Sequence, residues 1–198
     1  MPEINPLAGG GISGVSPHMQ SPSPGNYRVG RGYCQMKLAG ETFFQDAGNC
    51  TLFEMTVKPT TLPHYSSRVG VRKKDYVATT ELDATLAMTL EEITPRNLGI
   101  FMLGNYRESP GFPDIVIDLF ATPQILGAVQ FIDTSSVGPQ WGMLYPLVLF
   151  TPTRALSLIA QGSGAWSTVD LAVDVLYDSV SGQFGIATST SFLQSGSP

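Results

Sequence analysis

The chain has 198 residues and a net charge of -5, with 14% charged residues, 21 glycines and 15 prolines. That length suits one sizeable core, and the sparse charge leaves a surface rich in hydroxyl, amide and apolar groups. Residues 76–198 carry three basic against eleven acidic side chains, net -8, which argues against gripping nucleic acid by phosphate neutralisation, while residues 1–75 carry eight against five, net +3.

Residues 1–26 contain five prolines, Gly9-Gly10-Gly11 and several serines without a sustained apolar period, and are expected to form a flexible N-terminal arm. The glycine-rich stretch lacks a following Gly-Lys-Ser/Thr and so fails as a phosphate loop. No basic-then-apolar leader is expected at the start, and no apolar run approaches the 18 residues of a membrane helix. Synthesis and assembly in a cytoplasm are the corresponding expectation. Residues 27–190 are read as one β domain and residues 191–198 as a frayed tail.

Within that domain, 50–58 alternates: Thr51, Phe53, Met55 and Val57 face one way, Cys50, Leu52, Glu54, Thr56 and Lys58 the other. Residues 76–90 keep a period of two throughout, with Leu82, Ala84, Leu86, Met88 and Leu90 on the apolar side. At roughly 3.3 Å per residue this strand spans about 50 Å, so it either bends or reaches past its own domain. Between the two lies an expected inter-strand loop, 60–75, holding Arg68, Arg72, Lys73 and Lys74.

Thr94-Pro95 announces a short helix, 94–104, with a hydroxyl N-cap, proline at the first position and Gly104 as the stop. Further strands are expected at 115–120, 125–132, 144–150, 155–160, 169–178 and 183–190, separated by proline and glycine. The fold class is therefore mainly β, a sandwich or barrel with one flanking helix.

Few residue groups suggest chemistry. Cys34 and Cys50 are too few for a disulfide framework or a zinc site and read as small buried or half-buried thiols. His18 and His64 lack a second ligand at metal spacing. His64, Ser66, Ser67 and Asp75 include triad residue types, but their closeness on one segment fits a surface loop better than a nucleophile, base and orienter. Glu81 with Asp83, and Asp170 with Asp174 and Asp178, each lie along one face of a strand, unlike carboxylates opposed across a glycosidase cleft. No catalytic residue, metal or cofactor is assigned.

Several of these segments occur in a family-like order: Gly30-Arg31-Gly32, Gly48-Asn49, His64-Tyr65-Ser66-Ser67-Arg68, Gly70, Arg72-Lys73-Lys74-Asp75, 93–98 from Ile93 to Leu98, and Phe101-Met102-Leu103-Gly104. Over 30–104 the chain resembles the major tail tube protein of long-tailed bacteriophages. The resemblance implies a β-sandwich with a flanking helix, six-membered rings stacked into a tube, and double-stranded DNA passing through the lumen without specific binding. It implies a virion location, with tape measure, terminator and baseplate proteins as further partners. It also implies that His64, Tyr65, Ser66, Arg68, Arg72, Lys73, Lys74 and Asp75 lie between subunits and between rings. Glu81 and Asp83, or Asp170, Asp174 and Asp178, are then candidates for the lumen face. A ring-forming tail terminator or head-tail connector of related fold is the alternative. A β-sandwich carbohydrate-binding module using Trp141, Trp166 and a carboxylate pair is a third reading.

Overall fold

The computed structural model describes residues 29–66, 68, 70–108, 115–136, 140–156, 158 and 166–189. The expected arm at 1–26 and tail at 191–198 lie outside the described residues. The elements are β1 (Gly32–Leu38), β2 (Gln45–Asp46), β3 (Cys50–Ser66), β4 (Lys73–Leu90), α1 (Pro95–Phe101), β5 (Asn105–Glu108), β6 (Ile115–Asp118), β7 (Ile125–Asp133), β8 (Trp141–Pro152), β9 (Val169–Val175) and β10 (Ile186–Ser189).

Eight strands form one antiparallel sheet in the order β2-β1-β7-β8-β9-β4-β3, with β10 also pairing β8. β5 and β6 make a separate two-stranded ribbon. The chain is mainly β, as its alternating segments imply, but the layers come from one sheet that rolls over on itself. The ring of Phe53 on β3 stacks on that of Phe131 on β7 at 5.0 Å, although three strands separate β3 from β7 in the sheet. The Tyr145 hydroxyl on β8 meets Met55 Sδ on β3 at 3.2 Å. Right-handed strand twist supplies this coiling, and the roll stops short of pairing β3 with β1.

Inside the roll the apolar positions of each strand converge. Met36, Leu86, Met88, Leu90, Val129, Val148, Phe150, Val169, Leu171 and Val173 are all buried there, with Ile100 of α1 joining them. β9 shows the expected alternation in full, with Val169, Leu171, Val173 and Val175 inward and Asp170, Ala172 and Asp174 less buried.

The helix begins as its sequence signals require. Thr94 is extended and its side-chain oxygen accepts from the Asn97 amide at 3.1 Å. It ends earlier than Gly104, because Leu103 takes the left-handed conformation (φ 48°) and the chain turns directly into β5, a strand the sequence reading lacks. Gly104 serves a different purpose. A Cβ there would stand 2.6 Å from the Asp118 carbonyl oxygen, so its lack of a side chain lets the β5–β6 ribbon close.

The expected loop at 60–75 is corrected most. β3 runs on to Ser66 and β4 begins at Lys73, paired from Ser66↔Lys73 inward, so only residues 67–72 join them. β3 carries Pro59 and Pro63 within the ladder because it is the terminal strand of the sheet, where a missing N–H costs no ladder bond on the open side. The expected strand at 155–160 is not seen at its described positions: Ala155, Leu156 and Leu158 are irregular.

Candidate assembly interface

β3 and β4 have 17 and 18 residues, and at roughly 3.3 Å per residue the pair extends for about 55 Å. β9 pairs with β4 only over 84–90. Beyond Ala84 the sheet is therefore reduced to two strands, with both outer edges unpaired among the described residues. Burial follows the same boundary: Leu86, Met88 and Leu90 are buried, while nearly every residue of β4 before Ala84 is exposed. The long strand reaches past its domain.

The projecting hairpin has two chemically different faces. Residues directly opposite in an antiparallel pair share a face, so Met55↔Leu86, Val57↔Ala84 and Pro59↔Leu82 form one apolar strip. Its inner end is core. Its outer end is open, with Met55, Val57 and Leu82 each about half exposed. Alternation placed Met55 and Val57 on one face with Phe53, and they stay half exposed where Phe53 is partly buried.

The opposite face gathers the carboxylates. Lys58↔Asp83 and Thr60↔Glu81 continue to Thr56↔Thr85 on β3 and β4, and Thr85↔Asp174 and Thr89↔Asp170 carry the same face onto β9. The two acidic pairs, separate in the sequence, thus belong to one surface, and Glu54 joins them opposite Ala87. They differ in setting. Glu81 and Asp83 are exposed, whereas Asp174 and Asp170 are half-buried and accept from Thr85 Oγ1 at 3.3 Å and Thr89 Oγ1 at 2.6 Å. Arg154 stands 3.8 Å from Asp170.

Asp178 does not belong to this face. β9 ends at Val175, and Asp178 opens a turn in which its carboxylate accepts from the Val180 and Ser181 amides at 3.0 and 3.1 Å. Hydrogen bonding from the Ser181 side chain and the Val180 amide holds its pKa below the usual carboxylate range. A strand period extrapolated past its last residue had placed it beside Asp174.

The hairpin tip carries the basic residues. Arg68, Arg72, Lys73 and Lys74 are exposed, and the Arg72 guanidinium lies over the Tyr65 ring at 5.2 Å. His64 Nδ1 and Asp75 Oδ1 are 2.6 Å apart, while Ser66 closes the ladder opposite Lys73. Among the described residues no hydroxyl hydrogen-bonds the His64 ring, and none group three metal-ligating side chains. No helix among them is long and apolar enough to cross a membrane.

The tryptophans do not form a shared platform. Trp166 is exposed beside a hollow of about 430 Å³ lined by Asn49, Glu91, Glu92, Ile93 and Ser167, and Trp141, at the start of β8, is not part of it. No protein-family model matches the chain, and no curated protein matches it.

Proposed function

We propose that this chain is a structural subunit that associates with copies of itself through the β3–β4 hairpin, forming six-membered rings that stack as the tail tube of a long-tailed bacteriophage. The observation carrying the proposal is the two-faced hairpin projecting beyond the core: an apolar strip continuous with the interior on one side and a carboxylate-hydroxyl face on the other. A two-stranded ribbon is marginal by itself in water, and its unpaired edges and bare apolar strip invite a covering neighbour. Fully burying an apolar side chain contributes roughly 1.5–3 kcal/mol, so covering the exposed half of Met55, Val57 and Leu82 adds roughly half of that at each.

In such a tube the acidic face lines the channel. Carboxylates repel phosphates, keeping DNA near the axis instead of holding it at the wall. The basic tip meets the acidic part of a neighbouring copy, which fixes register more than it adds affinity. Contacts between unlike surfaces propagate along an axis when they do not close. Tape measure, terminator and baseplate proteins complete the proposed set of partners.

Replacing residues 59–82 by Asn-Gly tests the reading, because Lys58 and Asp83 are directly opposite and can be joined by a two-residue turn. The shortened chain is expected to fold with its core intact and to remain monomeric at concentrations where the full chain forms large species in sedimentation velocity. Assembly of the shortened chain to the same species would refute the hairpin's role.

A further inference from the structure

The chain's two cysteines lie on either side of the gap between β1 and β3, lining one groove. Cys34 is on β1 and Cys50 opens β3, and no ladder joins those strands: β1 pairs with β2 and β7, β3 with β4. Both thiols nevertheless line one groove across the seam: Cys34 is directly opposite Phe131 on β7, Phe131 stacks on Phe53 of β3, and Cys50 Sγ donates to the Leu52 carbonyl oxygen at 3.0 Å. Two hydrogen bonds fix the segment that leads into Cys50. The Ala47 amide donates to the Cys34 carbonyl oxygen at 2.9 Å, and Asn97 Nδ2 donates to the Ala47 carbonyl oxygen at 2.9 Å, tying the segment before β3 to both β1 and α1.

Their exposures differ. Cys34 is 1% exposed, whereas Cys50 is half-buried. Both border a groove of about 710 Å³ between Gly32, Phe53 and Phe131 that opens to solvent. Interaction with the Cys34 thiol outweighs burial and holds the Cys50 pKa below the ordinary thiol value. The same interaction, reinforced by burial, pushes Cys34 up. An accessible thiol with the lower pKa beside a sequestered one is the arrangement of an attacking and a resolving cysteine.

We propose that Cys34 and Cys50 are a thiol oxidation site, converted by a low-molecular-weight disulfide into an intramolecular disulfide that covalently closes the seam between β1 and β3. The Cys50 thiolate attacks one sulfur of oxidised glutathione, whose S–S bond breaks and releases one glutathione thiolate, which takes up a proton. Cys34 then loses its proton, and its sulfur attacks Cys50 Sγ, forming the protein disulfide and expelling the second glutathione. Two protein thiols are oxidised and one oxidised glutathione is reduced to two thiols, so atoms and electrons balance. The inference does not depend on tube assembly.

The test exposes the full chain to oxidised glutathione, alkylates remaining thiols and maps tryptic peptides. The expected product links residues 32–37 to 38–68, is two hydrogens lighter than the reduced chain, and melts roughly 5–10 °C higher until dithiothreitol reverses the change. C34S should stop at a glutathione adduct on Cys50. C50S should leave buried Cys34 unmodified. Full alkylation of both wild-type thiols after oxidant treatment, a lasting Cys50 adduct in the wild type, or only intermolecular dimers would each overturn the proposal.

Discussion

Arg96 illustrates how a side chain with no periodic role can hold the fold together. It is 8% exposed, and its Nε and Nη2 donate to Glu41 at 3.1 and 2.7 Å while Nη2 also donates to the Met36 carbonyl oxygen at 2.9 Å. The pair ties α1 to β1. Burial raises the Glu41 pKa, but hydrogen bonds from Arg96 and the Leu38 amide, with the guanidinium charge, outweigh it and set the carboxyl below its ordinary 4.5. R96M should lower stability by about 3 kcal/mol, since Glu41 loses its partner but keeps some contact with solvent. A depressed folded-state pKa contributes stability that is complete above the unfolded value and lost as pH falls through the folded one. Urea titrations at pH 7, 4.5 and 3 should therefore show a decline in the wild type below about pH 4.5 that is smaller in E41Q. Thr94 and Pro95 were legible as a helix start because capping is local chemistry. Arg96 and Asn97 were not, because their partners, Met36 and Glu41 for Arg96 and Ala47 for Asn97, are distant in sequence.

At the scale of elements, the period of two in 76–90 correctly carried both the strand and its excess length. The missing information was where the partners stop. Nothing in β4 marks Ala84 as the last residue paired with β9; that limit is set by the length of β9, whose seven residues come much later in the chain. Register had the same origin: Glu81 and Asp83 came onto one face with Asp170 and Asp174 only once β4 and β9 were paired. Conversely, the basic run between the two alternating segments disguised two strand ends as a loop. The basic tip makes a separable forecast for this element. Exposed charges contribute little to folding, so R72E/K73E/K74E should unfold within about 0.5 kcal/mol of the wild type. The same variant should fail to form the large species expected of the wild type; unchanged assembly would show that the tip charge is dispensable.

For the whole molecule, the acidic face matters only through repetition. In the proposed ring each Glu81 and Asp83 would recur around the channel, so E81K/D83K would convert an entire lining from repelling to attracting phosphate. These two are exposed and make no described side-chain hydrogen bond, so tubes should still form. DNA passage should slow, and added salt should restore it as screening shortens the attraction. Passage unaltered at every ionic strength would remove this face from the lumen. Asp170 and Asp174 are poorer probes, since replacing them also breaks their bonds with Thr89 and Thr85.

Electron microscopy of the concentrated full chain bears most directly on the central claim. The account predicts hollow filaments of uniform width whose end views show six subunits, with the β3–β4 hairpins buried between copies. A chain that stays monomeric at every concentration, or that forms closed single rings without stacking, would contradict it.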